Sequence, residues 1–310
     1  MAFSIFISSG RSFLRNGMRS RSFATKYRGS KASIDFGAGF KIPSNPDPLE
    51  LEKLNAHEND SRLEFDSELH KYYIDGKPVL NSVTEIVGSF FEEFDAELAV
   101  TKMMGGRNWP RPEYLDKAGN PMEKEDILKK WESTGTFARN LGTYMHWNIE
   151  KYLNGIDHEP SPEIQQFVNF NSAMIEDRDI TPHRTEWRVF DPVRRIAGTI
   201  DFVGRRANGN YVIIDWKRAK DLQTKLANIY RKAKPPLDYL DDCSGVKYSL
   251  QLNMYRYILQ TYYGIIVDEM LVVSFHPNLE NYFYFPVEVS QIIICIIHSR
   301  HSNFALLVDT

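Results

Sequence analysis

Cysteine is nearly absent: Cys243 and Cys295 are the only two in 310 residues. Two thiols cannot build a disulfide framework, a four-cysteine zinc site or an iron–sulfur cluster, and such sparse usage suits a reducing compartment. Long apolar runs are missing too. None approaches the roughly 20 residues that cross a bilayer, and "IIICII" (Ile292–Ile297) reads as core rather than membrane contact. No G-x-x-x-x-G-K-[ST] phosphate loop occurs, so unwinding of any duplex would need a helicase partner. The chain also lacks internal repeats and low-complexity tracts.

Acid is missing from one place in particular. Arg11, Arg15, Arg19, Arg21, Lys26, Arg28 and Lys31 precede Asp35, the first acidic residue, so a net charge of −3 hides about −10 on the remainder. An arginine- and serine-rich start with interspersed Phe3, Ile5, Phe6 and Phe13 has the composition of an organelle transit peptide. "FSIFIS" is too short for a secretory signal, and "RSFAT" (Arg21–Thr25) resembles a matrix-protease cleavage site. The expected destination is the mitochondrial matrix, with a plastid as the alternative. A basic tail that binds nucleic acid is the plainer reading of the same residues.

What remains after residue 34 is an ordinary globular composition, 42% apolar over the chain, enough for a sizeable core. Residues 35–61 read as a linker because "PSNPDPLE" is broken by prolines. Strands "RLEFD" and "HKYYID" follow, with a turn at Asp75-Gly76. In "NSVTEIVGSFFEEFDAELAVTKMM", Ser82 and Glu85 form a capping box that opens a helix. Further helices are expected over 123–134, 137–152 and 161–178. After Pro182 the period changes to two in "TEWRVF", "IAGTIDFVGR" and "YVIIDWK". A helix over "YSLQLNMYRYILQTYY" then closes at Gly264, and two strands, "EMLVVSFHP" and "NYFYFPVEV", end the segment. This order predicts one large α/β domain over 62–290, a central mixed β-sheet flanked by helices with a helical N-terminal portion. Residues 291–310 form an uncertain tail.

One strand of that domain carries an unexpected pattern. "YVIIDWK" reads as buried, yet it ends with Asp215 and Lys217 on the same face, since strand side chains alternate. If Gly209 closes the "ANG" loop in the left-handed conformation, Arg206 pairs with Asn210 and Asp201 falls directly opposite Asp215. Facing carboxylates repel unless a cation lies between them, and hard oxygen ligands suit Mg²⁺ or Mn²⁺. An adjacent lysine meets the charge that develops on a phosphoryl group. A structural Asp–Lys pair at a strand end would give the same triplet.

Four motifs together resemble a known superfamily. "GTID", a step of 14 residues and then "DWK" is similar to the catalytic core of the PD-(D/E)XK nucleases. "GTYMHWNIEKYL" with His146 upstream and "QLNMY" (Gln251–Tyr255) downstream match the RecB-like branch. The wider context from Arg62 to Val289 resembles a eukaryotic and large-virus set, with a mitochondrial genome maintenance exonuclease as a distant functional analogue. The resemblance implies a restriction-endonuclease-like core. It implies that Asp201, Asp215 and the Trp216 carbonyl bind the metal, with His146 as a further metal or substrate contact, while Lys217 activates the attacking water. Glu150, one turn after His146, would orient it or hydrate the metal. Gln251 and Tyr255 would contact nucleic acid or brace the lysine, and Glu186 stands where an acidic residue is common. No iron–sulfur cluster accompanies this copy, unlike many helicase-associated members.

Positive charge gathers beside that core. From Trp216 to Pro236, Lys217, Arg218, Lys220, Lys225, Arg231, Lys232 and Lys234 stand against one acid, Asp221, a local excess of six. A phosphate backbone is the natural partner of such a stretch, though a charge run can also be a solvated face; Trp216, Tyr230 and Tyr239 offer faces for unpaired bases, with core the other reading of Trp216. The expected function is a Mg²⁺- or Mn²⁺-dependent DNA nuclease, an exonuclease on single-stranded ends or flaps in organelle DNA maintenance, with a helicase or polymerase as partner and no membrane. Two other readings are a silent nucleic-acid-binding accessory and a zinc hydrolase built on His146 and Glu150. Exonuclease against endonuclease, polarity, and DNA against RNA stay open on sequence.

Overall fold

In a computed structural model, residues 35–37, 39–42, 49–67 and 69–290 are described. The segment expected to be a transit peptide and the tail with "IIICII" lie outside them. From residue 49 the chain forms helix α1 (Glu50–Leu54), then strands β1 (Leu63–Asp66), β2 (Lys71–Ile74) and β3 (Lys77–Pro78) in a small antiparallel sheet. Asp75 and Gly76 turn the chain after β2 with φ of 49° and 71°, the left-handed geometry that Asp-Gly favours. The stretch expected to be linker is tied down at its end. Arg184 Nη1 and Trp187 Nε1 donate to the Asp60 carboxylate at 2.7 and 2.8 Å.

β4 (Asn81–Ser82) leads into α2 (Val83–Ser89) through the expected capping box. Ser82 Oγ accepts from Glu85 N at 3.2 Å, and Glu85 Oε2 accepts from Ser82 N at 2.6 Å. The following helix is separate: Phe90 and Phe91 turn into the core, and Asp95 caps α3 (Ala96–Met104) by accepting from Leu98 N at 2.8 Å. The two helices expected over 123–134 and 137–152 are one, α4 (Lys124–Leu153). Gly135 weakens a helix by about 1 kcal/mol relative to alanine but leaves every backbone donor in place, so the ladder continues through it. α5 (Pro162–Met174) starts at Ser161, whose hydroxyl accepts from Ile164 N at 3.2 Å.

The main sheet has six strands: β4, then β5 (Thr181–Asp191), β6 (Ile196–Arg205), β7 (Tyr211–Lys217), β8 (Val267–Ser274) and β9 (Phe283–Pro286). Helix α6 (Ser244–Tyr262) carries the chain from β7 to β8, which pair in parallel. On one face α2, α6 and the small sheet pack Val83, Ile86, Leu252 and Leu259 against Val203, Ile213 and Val272. On the other, α4 and α5 bring Met145, Ile149, Phe167 and Phe170 onto Phe202, Ile214, Trp216 and Phe275. The molecule is therefore α/β, a central mixed sheet flanked by helices. Among the described residues no helix is long and apolar enough to cross a membrane.

One edge of β6 is shared. β5 runs along the whole of its first edge, from Asp191↔Ile196 to Thr181↔Arg205. On the second edge β4 pairs at Ile196 and Ala197, and β7 pairs from Phe202 to Arg205. Between these two partners, residues 198–201 of β6 face a split in the sheet. The candidate site lies there.

Candidate metal centre

Register places three acids in a row. The β6–β7 ladder runs Arg205↔Tyr211 to Phe202↔Ile214, and Arg206 N donates to Asn210 O at 2.8 Å around Gly209, whose φ is +87°. One step beyond the last pair puts Asp201 across from Asp215, the register expected from the loop. On the other edge, Thr185↔Phe202 and Trp187↔Ile200 put Glu186 across from Asp201. Glu186, Asp201 and Asp215 thus lie side by side on β5, β6 and β7. Glu186 has φ +44°, uncommon for a residue with a side chain and a sign of local strain where the chain aims this carboxylate. As the strands part, Asp201 Oδ2 accepts from Trp216 N at 2.7 Å, replacing a ladder partner with a carboxylate.

α4 supplies the histidine. Met145 and Ile149 fix its buried face, leaving His146 and Glu150 to reach the split. His146 Nε2 lies 3.0 Å from the Trp216 carbonyl oxygen and Nδ1 lies 3.2 Å from Glu186 Oε1 and 3.8 Å from Asp201 Oδ2. A carbonyl only accepts, so Nε2 carries a proton, and Glu186 draws a second to Nδ1. Ligand atoms of His146, Glu186 and Asp201 all fall within 4.8 Å of one another, a spacing that fits one cation.

The lysine is held from the α6 side. Lys217 Nζ donates to Asp215 Oδ1 at 2.8 Å and lies 2.7 Å from Oδ2, though off the line of a hydrogen bond to that second oxygen. Gln251 Nε2 donates to the same Oδ1 at 3.3 Å, and Tyr255 follows it one turn later on α6. Tyr255 is 3% exposed and leans on Gly198, where a Cβ would come within 2.7 Å of its ring and hydroxyl. Of the two roles expected for Gln251 and Tyr255, bracing the Asp215–Lys217 pair is the one this geometry serves; the phenol is too deep to touch a strand. Tyr248 was missed: Lys217 Nζ sits 4.7 Å from its ring centroid. Positions 248, 251 and 255 share one helical face, which is the signal that would have found it.

Burial and charge set the protonation states. Burial raises Asp215 to about 6, against the pull of Lys217. It raises Asp201 as well, with Glu186 adding to the push. Burial opposes the charge on His146, but Asp201 and the Glu186 hydrogen bond outweigh it and bring the imidazole to about 9. Lys217 is likewise penalised by burial and raised by Asp215 and Asp201, so it stays an ammonium. Glu150 is pushed to about 7 by burial and by Glu186. The row crowds three carboxyl groups together, and its donors are hard oxygens. The residues present fit a divalent metal ion. Access is from one side: His146 and Glu186 keep 25% and 32% of their side-chain surface, whereas Asp201 and Asp215 keep 11% and 3%.

The cationic stretch is less free than its sequence window implies. Arg218 donates to Glu163 Oε1 at 2.8 Å in a pair with side chains 13% and 9% exposed. Lys225 pairs with Asp221, Arg231 with Asp242, Lys232 with Asp241 and Lys234 with Glu92. Four of these five acids come from outside the window, where counting along the chain could not reach. Among the described residues Lys220 is exposed without an ion pair. Trp216 is 1% exposed, packed with ring centroids 5.6–5.9 Å from Phe167, Phe170, Phe202 and Phe275, so it is core and no base platform. Tyr230 and Tyr239 are 88% and 51% exposed.

No protein-family model matches the sequence, and no curated protein does. Among solved structures, the crystal structure of SSO0001 is similar over 59% of this chain and 68% of that one, at 13% identity and a TM-score of 0.28. A likeness of that size carries no argument.

Proposed function

We propose that the chain is a metal-dependent nuclease of the PD-(D/E)XK type, RecB-like branch, which hydrolyses phosphodiester bonds. The observation that carries this reading is the carboxylate row Glu186–Asp201–Asp215, flanked by Lys217 at one end and His146 at the other. Asp201, Asp215, Glu186 and the Trp216 carbonyl are the groups that would hold Mg²⁺ or Mn²⁺, and His146 would join them only on giving up a proton. Bound there, the ion supplies Lewis acidity to the phosphoryl oxygens and makes an attacking water more acidic. Lys217 keeps its ammonium beside Asp215, where it orients that water and offsets charge developing on the phosphate. Gln251, Tyr255 and Tyr248 fix the lysine's position. His146 and Glu186, at the open side, face the incoming strand.

The substrate class and setting belong to the same proposal. An acid-free, arginine-rich start supports import into the mitochondrial matrix, with a plastid as the alternative. Together with the family resemblance it favours an exonuclease that trims single-stranded DNA ends or flaps during organelle DNA maintenance, beside a helicase or polymerase. A silent accessory protein would have no chemical reason to keep Asp201, Asp215 and Lys217 in working relation. Zn²⁺ also accepts the His146, Glu186 and Asp201 donors, so the identity of the ion is part of the test.

Thermal unfolding in Mg²⁺ or Mn²⁺ tests the site without relying on turnover. Saturating ion stabilises a protein that binds it only when folded, by about 2.7 kcal/mol at 100 times Kd. The wild type should gain Tm in Mg²⁺ or Mn²⁺, and Asp201→Asn should gain none. Equal shifts in both proteins would remove the carboxylate row from metal binding, and a shift with Zn²⁺ alone would favour a zinc hydrolase.

A further inference from the structure

The carboxylate row explains where a bond would break but not how a strand is led to it. α4 offers a path. Counting at 3.6 residues per turn, Arg139, Gly142, Thr143, His146 and Glu150 share one face of the helix. The other faces are spoken for. Met145, Asn148 and Ile149 are buried, and Asn140 Nδ2 donates to the carbonyls of Phe36 and Gly37 at 2.9 and 2.7 Å while Phe36 packs on Phe137 and Tyr144.

Gly142 is one turn before His146 in the middle of a 30-residue helix. A mid-helix glycine is unfavourable, and packing normally accounts for it. Here a Cβ would meet nothing within 4 Å. Nothing in the described residues needs the missing side chain; the open surface beside the metal centre is what glycine keeps low. Gly198 is the contrast, since Tyr255 fills its place.

Arg139 supplies charge on the same face. It is exposed, and its guanidinium donates to Thr136 Oγ1 at 2.9 Å and lies against Gly135, 3.5 Å from where a Cβ would be. Among the described residues it has no acidic partner, unlike Arg218, Lys225, Arg231, Lys232 and Lys234. Seven residues from His146, it stands about 10 Å away along the axis at 1.5 Å per residue. That distance spans about three nucleotides of a stacked strand at 3.4 Å each.

We propose that the Arg139–Gly142–Thr143 face of α4 seats the phosphodiester backbone of the substrate strand next to the metal centre. Gly142 lets the backbone approach the helix beside His146, and Arg139 holds a phosphate about two or three nucleotides from the scissile bond. This rests on the nuclease reading and names the track by which that site is fed.

The test uses the full chain with Arg139→Ala and Gly142→Leu. Binding of a labelled single-stranded DNA is measured in EDTA across a salt series, with Tm for each protein and cleavage in Mg²⁺. Leucine is a better helix former than glycine, so Gly142→Leu should keep or raise Tm while weakening binding about tenfold. Arg139→Ala should weaken binding and lower the slope of log K against log salt by about 0.7, one phosphate on a single strand. Binding and salt slopes equal to wild type in both variants, with wild-type cleavage intact, would overturn the track and leave the nuclease reading standing. A wild type that neither binds nor cleaves would overturn both.

Discussion

In the proposed nuclease, Lys217 is the residue on which the chemistry would turn. Its ammonium is held by Asp215, braced through Gln251 and backed by the Tyr248 ring, so it is placed before substrate arrives. Lys217→Ala should lower kcat by about 10²–10³-fold, the range seen when one preorganised hydrogen-bond donor is removed, while binding of a single strand persists. Turnover near wild type would take the lysine out of the mechanism. Asp201, Asp215, Lys217 and His146 were legible in the sequence because motif spacing and the strand period point at them. Glu186 was harder. It stands in a strand whose register against β6 is long-range information, and only the turn after Asp191 sets Glu186 opposite Asp201. Counting back from Asp191↔Ile196 gives that pairing once the turn is known.

At the scale of elements, the site depends on how β6 meets α6. Gly198 lets Tyr255 lie against the strand, one turn after Gln251 on the same face of α6. Gly198→Ala should therefore cost about 1–3 kcal/mol, the range for overpacking, and lower kcat by displacing the brace. Chemical denaturation reads the first effect and steady-state kinetics the second; a variant as stable and active as wild type would mean the tyrosine is not needed there. Local rules served well where local chemistry decides: the Ser82–Glu85 box, the Asp75-Gly76 turn and the Gly209 loop. They failed at Gly135, where two helices were expected and the unbroken backbone ladder makes one.

Over the whole molecule, charge is where the sequence misleads. The stretch 216–236 looks strongly basic along the chain, but the fold brings Glu92, Glu163, Asp241 and Asp242 to it. Stability will carry a signature of the fold's own buried groups. His183 on β5 is lowered to about 4 by burial, helped by Arg184 and Arg205. A folded pKa below the unfolded value of about 6.5 means the unfolded chain takes up the proton first. Stability from this group is thus intact above pH 6.5 and lost as pH falls from 6.5 to 4. His183→Asn should flatten that part of the Tm profile; an unchanged slope would assign it to other groups.

The most direct measurement puts the protein in Mg²⁺ with an end-labelled linear single-stranded DNA and a closed single-stranded circle, beside Asp215→Asn. Loss of the linear strand alone, abolished in the variant, is the predicted result, and the label would give polarity. An intact linear strand, or cleavage equal in wild type and Asp215→Asn, would contradict the account.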